Sequence, residues 1–292
     1  MTINFDDPGT CHFYYADAAG SPGTILTFFS WPGMAPGRPG IGLVVATAWR
    51  VPQGSLDFWE ARFRHFGVEV QQRIVRLGEN VLRFRDPDGM DFELVETTVA
   101  PAAEAPTLEG SAIDHPIPAA MALQGFHSAT ISVDGYTSSA KVLTDIFGFV
   151  FVSSERGRYR FEAAGTSGEP GRIIDLLCQP DRQRGVMGAG SVHHLALRAA
   201  TEPAQLNVRQ ALPATHVNVT PVLDRSYFRL IYFLEPGGVI LEVATDPPGF
   251  GTDEPAHRLG TSLRLPPWLE GQRAAIAASL PPIGLPSGLR LP

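Results

Sequence analysis

The segment Asp86-Pro87-Asp88-Gly89-Met90-Asp91-Phe92-Glu93 lines up with Glu235-Pro236-Gly237-Gly238-Val239-Ile240-Leu241-Glu242. Each copy is an acidic Pro-x-Gly turn, then an apolar strand with a carboxylate at the same place. A repeat constrains a fold more than local propensity does, because each unit must bury its apolar face against another unit. Around both copies the chain reads strand, helix, strand, strand, strand. In one, Ile41–Ala48 is the opening strand, Ser55 is placed to cap a helix over Leu56–Phe66, and Gly67 ends it. Two strands and the Asp86–Gly89 turn then lead into Met90–Val95. A third block repeats the order: strand Gly125–Val133, helix Ser138–Phe147 closed by Gly148, then strands Phe149–Ser153, Arg158–Glu162 and Arg172–Leu177. The fourth has a strand over 192–199, a helix near Glu202–Gln210 and three strands ending at Val243. The first block differs. Thr2–Phe5, His12–Tyr15 and Thr24–Phe29 read as strands, and the opening strand and helix of a module are missing from the sequence.

An α+β fold of four βαβββ modules follows, the first incomplete. The modules pair so that curved sheets close on cavities as barrels. The expected segmentation is 1–38 for the remnant, 39–98 for the second module, 99–122 for a linker rich in Ala, Pro and Glu, 123–180 for the third module and 190–246 for the fourth. Residues 247–292 form a tail with a short helix, Glu270–Ser279, that wraps the outside or covers a pocket.

Composition narrows the function. A net charge of −7 argues against nucleic acid and anionic membranes as partners. No apolar run reaches the length of a membrane span, and no secretory leader is visible. Two cysteines, Cys11 and Cys178, give neither a disulfide framework nor zinc spacing. The cytoplasm is the expected compartment.

Chemistry concentrates in the fourth block. Side chains alternate along a strand, so His193 and His194 face opposite ways. His194 shares its face with Ala196 and Arg198, the more polar side. Glu242 lies on the last strand between Ile240 and Ala244, where a carboxylate is costly unless it is paired or binds a metal. The residues alone leave two readings open: a structural His–Glu pair, or part of a metal site. Glu93 repeats the position of Glu242, but the strand Ile41–Ala48 carries no His, which argues against a second metal site.

The modules with their His and Glu resemble the vicinal oxygen chelate superfamily of glyoxalases, bleomycin-resistance proteins and extradiol dioxygenases. Thr2-Ile3-Asn4-Phe5-Asp6-Asp7-Pro8, Gly20-Ser21-Pro22-Gly23-Thr24, Val51-Pro52-Gln53-Gly54-Ser55-Leu56, Gly125-Phe126-His127, Val192-His193-His194, Asp224-Arg225 with Tyr227-Phe228, Glu235-Pro236-Gly237-Gly238 and Asp246-Pro247-Pro248-Gly249-Phe250 resemble, more narrowly, the ring-cleaving dioxygenases of hydroquinones. The resemblance implies an iron(II) site (manganese(II) the alternative) of two His and one carboxylate with positions left open for substrate and dioxygen. It assigns His194 and Glu242 as metal ligands. It puts the remaining His on a strand upstream of Met1, so the expectation is a misplaced start or a fragment. His127 and His12 are the substitutes within the chain, each with a structural role as the competing reading. The resemblance also implies catalytic roles for His193 as acid or base, Arg225 as fixed charge and Tyr232 as a hydrogen-bond partner of substrate oxygen. Against these stand an ion pair of Arg225 with Asp224 or another acid and a core position for Tyr232. The implied partners are an aromatic diol and O2, with a homo-oligomer allowed. A glyoxalase-type isomerase, or a binding protein without turnover, would use the same scaffold.

Overall fold

A computed structural model describes residues 1–98, 117–165 and 168–282. Most of the 99–122 linker lies outside the described residues.

The first block holds β1 (Thr2–Asn4), β2 (Asp7–Tyr15) and β3 (Leu26–Phe29), an antiparallel sheet in that order. The first reversal falls between Asn4 and Asp7, and Asp7 already pairs. The second block holds β4 (Val44–Pro52), α1 (Leu56–His65), β5 (Glu69–Arg76), β6 (Glu79–Arg85) and β7 (Asp91–Thr97). α1 sets Leu56, Trp59 and Phe63 against Val51, Leu82 and Leu94, the i, i+3, i+7 stripe of a helix lying on a sheet. The third block holds β8 (Phe126–Val133), α2 (Thr137–Lys141), β9 (Phe149–Glu155), β10 (Arg158–Ala163) and β11 (Ile173–Cys178). α2 runs straight on into a π-helical turn over Val142–Ile146. The fourth holds β12 (Leu195–Ala199), α3 (Glu202–Ala211), β13 (Leu223–Asp224), β14 (Phe228–Leu234) and β15 (Ile240–Pro248). Thr201 caps α3 by accepting from the Ala204 N–H.

The blocks pair inside-out. The second and third share one sheet of eight strands, β5-β6-β7-β4-β8-β11-β10-β9, joined where the two opening strands β4 and β8 run antiparallel. In the second, third and fourth blocks the first strand pairs parallel with the last. The first and fourth blocks keep separate sheets of three and four strands that face each other through side chains. No closed barrel forms among the described residues. The crossovers that link the two halves are zipped together by their backbones: Gly37 donates to Ala189, Ala189 to Ala35, and Arg38 and Val186 bond each other both ways. This ladder delivers the chain to Ser191–His194.

The repeated turn also fastens the halves. Glu235 is buried, and its carboxylate accepts from the Ser139 hydroxyl and from the Gly237 and Val239 N–H groups. A Cβ at Gly237 would stand 2.7 Å from Val133 and 2.8 Å from Ser139. This explains why Gly stands here where the other copy of the turn has Asp88.

After β15 the tail turns back over the first sheet. Leu265, Leu269 and Ile276, the last on α4 (Arg273–Ser279), close on Ile3 and Phe5. Arg264 donates to the Met1 carbonyl, and Thr2 donates to the Arg264 carbonyl. No described helix is long and apolar enough to cross a membrane.

Candidate active site between the first and fourth blocks

Register builds the site. Glu242 on β15 lies opposite Ala196 on β12 and opposite Tyr232 on β14. Its carboxylate is buried. The Nε2 of His194 lies 3.1 Å from Glu242 Oε2. Tyr232 stands across the strand pair from this carboxylate, and burial followed by the Glu242 charge raises its pKa well above the usual phenol range. The Tyr232 ring also stands edge-on to His194, 5.4 Å between centroids.

The two histidines differ from the alternation expected of a strand. β12 begins at Leu195, so His193 and His194 precede it. The Gly188–Ser191 turn, closed by the Ser191 hydroxyl on the Gly188 carbonyl, holds the chain off the sheet there. The rings therefore meet: His193 Nδ1 and His194 Nδ1 are 2.9 Å apart, so one donates to the other. Burial, then the His194 charge, lowers the His193 pKa and favours neutral imidazole.

Arg225 pairs with an acid other than Asp224, one that the sequence did not single out. Its Nη1 and Nη2 donate to Asp6 Oδ1 and Oδ2 at 3.1 and 2.6 Å. Asp224 instead accepts from the Ser226 N–H. The ion pair bolts the β1–β2 turn to the fourth block, so the guanidinium is held at the seam.

The first sheet supplies the opposite wall. His12 and Tyr14 are two apart on β2, hence on one face, and the Tyr14 hydroxyl meets His12 Nδ1 at 2.8 Å. His12 stacks on Phe29 at 4.2 Å, Phe29 stacks on Trp31 at 4.9 Å, and Phe29 meets His193 edge-on at 6.5 Å. The charges of His194 and Arg225 bear on His12, and those of Glu242 and Arg225 bear on Tyr14. Sequence reading had His12 but missed Asp6, Tyr14, Phe29 and Trp31. The alternation on β2 was the available signal for Tyr14.

His127 lies elsewhere. It is buried in the eight-stranded sheet, with Nε2 on Glu79 at 2.9 Å and Nδ1 on the Ser128 hydroxyl at 2.9 Å. Both ring nitrogens are used.

The donor pair suits a metal. An imidazole nitrogen and a carboxylate oxygen about 2.1 Å from one cation stand about 3 Å apart when they are neighbours in its coordination shell, as His194 and Glu242 do. Among the described residues no third His, Cys, Asp or Glu joins them in a ligand cluster.

No family model matches the chain. A Bacillus subtilis (strain 168) protein named ring-cleaving dioxygenase MhqO is 40% identical over 282 residues, covering 97% of this chain and 86% of its own. The chlorohydroquinone/hydroquinone 1,2-dioxygenase of Sphingobium indicum is 31% identical over 270 residues, covering 89% and 80%. A solved structure of a Bacillus subtilis protein named as a dioxygenase superposes with a TM-score of 0.88 at 39% identity, covering 97% of this chain and 87% of that one. Glyoxalase I from Zea mays shares the fold, with a TM-score of 0.61 at 11% identity over 84% of this chain and 82% of its own.

Proposed function

The chain belongs to the ring-cleaving dioxygenases of the glyoxalase-like vicinal oxygen chelate fold, and from that premise we propose that it is an iron(II)-dependent, extradiol-type dioxygenase of hydroquinones. The observation that carries this reading is the His194 Nε2–Glu242 Oε2 approach of 3.1 Å in a buried seam. In the proposal His194 and Glu242 hold the ion. Iron(II) bound there would offer adjacent positions for a substrate oxygen and for dioxygen. Tyr232, across the strand pair from Glu242 and edge-on to His194, orients the two ligands, as groups behind metal ligands commonly do. His193 is kept neutral by burial and takes a proton from a substrate hydroxyl. Arg225 keeps the first block's turn closed on the site through Asp6. The stacked rings of His12, Phe29 and Trp31 suit an aromatic substrate, since aromatic faces favour offset and edge-on neighbours. The segmentation at 1–38, 39–98, 99–122, 123–180, 190–246 and 247–292 belongs to the same proposal. The three βαβββ blocks, the three-stranded first block and the nested pairing support it.

The test is oxygen uptake. Protein loaded anaerobically with iron(II) should consume one O2 per methylhydroquinone and yield a product heavier by two oxygen atoms. Replacing His194 by Ala should remove the bound iron and the uptake together. Protein that binds iron but takes up no oxygen with any hydroquinone or catechol would leave a binding role on the same scaffold.

A further inference from the structure

His12 carries a buried atom that nothing among the described residues satisfies. Its Nδ1 is engaged with Tyr14, but its Nε2 is shut from solvent and has no hydrogen-bond partner among the described residues. An unmet buried donor or acceptor is costly, so such atoms are rare without a reason. The ring is otherwise firmly set, stacked on Phe29 and bonded to Tyr14. The other unmet histidine-like case does not arise at His127, where both nitrogens are bonded.

The tautomer does not alter what Nε2 needs. If Tyr14 donates to Nδ1, Nε2 carries the hydrogen and seeks an acceptor. If Nδ1 donates to Tyr14, Nε2 seeks a donor. A hydroxyl answers both, because it donates and accepts. Burial first, then the His194 charge, pushes the His12 pKa down to about 3, so the ring is neutral across the physiological range. It is a neutral partner for a neutral or anionic oxygen.

We propose that His12 Nε2 binds the second hydroxyl of the aromatic diol whose first oxygen goes to the His194–Glu242 pair, so that the first block reads whether the substrate is a diol. This rests on the ring-cleaving reading and adds a specificity-determining residue to it. The placement supports the assignment. β2 faces the fourth block, the electrostatics of His12 are tied to His194 and Arg225, and Phe29 bridges His12 to His193. A diol spanning the seam would touch both sheets, and a monophenol could touch one.

The experiment uses metal-free protein under argon, so that turnover plays no part. Affinities for methylhydroquinone and 3-methylphenol are measured by quenching of tryptophan emission, with Trp31 two stacked rings away from His12. Wild type should favour the diol by about tenfold, the worth of one well-made hydrogen bond. Replacing His12 by Phe keeps a ring on Phe29 but removes both nitrogens, and should bring the two affinities to within about twofold. Replacing it by Gln restores an amide near Nε2 and should recover part of the preference. Because the readout is a ratio within one preparation, partial unfolding of a variant does not imitate it. A wild type without diol preference, or a Phe variant that keeps the preference, overturns the proposal. Oxygen uptake judges the ring-cleaving reading separately. His12-dependent preference without uptake sinks that reading and leaves this one, and uptake with an unchanged preference does the reverse.

Discussion

The two halves of the molecule solve one problem in different ways. Three blocks place a carboxylate at the same register position: Glu93 opposite Ala48, Asp175 opposite Thr130 and Glu242 opposite Ala196. A buried carboxylate needs a cation or a set of donors. In the eight-stranded sheet the chain supplies its own cations. Arg76 grips Glu93 with both Nη atoms at 2.8 and 2.6 Å. Arg158 and Arg160 close on Asp175, with Arg160 reaching on to Glu79 at 2.7 Å. In the fourth block, among the described residues, no guanidinium pairs with the carboxylate at the corresponding place. Glu242 meets a histidine and a tyrosine, groups that can be neutral. The residues two upstream of the register partners make the same point: Ala46, Ser128 and His194. A scaffold that neutralises its carboxylate internally gains a fixed core. One that leaves the task to an imidazole keeps a place where an external cation can bind.

The comparison is sharpest when one charge is removed from each half. Replacing Glu242 by Gln should abolish iron binding and lower oxygen uptake by about a thousandfold or more, because several kcal/mol of charge stabilisation goes with the metal. Its effect on unfolding of the metal-free protein should be small. Replacing Asp175 by Asn should do the opposite. It takes away the one carboxylate on buried Arg158 and leaves Arg160 with Glu79 alone, at a cost of about 3–5 kcal/mol, with iron stoichiometry unchanged in the fraction that folds. Urea unfolding and metal analysis on both variants check this. If the Gln variant is as unstable as the Asn variant, the two halves are alike and the contrast fails.

Much of this contrast could be read before the structure was seen. The blocks, α1, a helix over Ser138–Phe147 and the equivalence of Glu93 with Glu242 follow from turn residues and alternation, which are local, whereas the π-helical turn within that helix does not. The missing parts are non-local. Nothing in Asp6 announces a partner 219 positions away at Arg225. The arginines of the central lattice sit on β5 and β10, and only the nested pairing of blocks brings them together. The sequence required blocks to pair without saying which. The start of β12 shifted from Val192 to Leu195 because a side chain, Ser191, closed a turn that strand propensity cannot see. His12 was visible as a strand histidine, but its unsatisfied nitrogen was not.

A pH titration sharpens the comparison further. Burial alone would raise the pKa of Glu79, but the hydrogen bonds and charges of His127 and Arg160 outweigh it and bring the carboxyl down to about 2. A depressed folded-state pKa contributes stability that is present above the unfolded value, near 4.5, and lost as pH falls towards 2. Wild type should therefore lose up to about 3 kcal/mol from this group across that window. Replacing Glu79 by Gln should flatten the acid limb of a stability–pH curve while leaving its shape above pH 5 unchanged. An unaltered acid limb would mean that the lattice draws no stability from this carboxylate.

The smallest effect belongs to the seam itself. Asp6 is 71% exposed at the side chain while Arg225 is 17% exposed. An ion pair with one solvated member contributes less than about 1 kcal/mol, so replacing Asp6 by Asn should barely move the unfolding midpoint. Its worth lies in where it holds the β1–β2 turn. Freed of Asp6, Arg225 gains a new freedom beside the site, and the first sheet loses one tie to the fourth block. The expected signature is a KM for methylhydroquinone raised about threefold to tenfold with kcat little changed, the pattern of lost ground-state positioning. A fall in kcat at constant KM would instead make Arg225 a participant in the chemical step, and the seam would then belong to the catalytic machinery that sets the two halves apart.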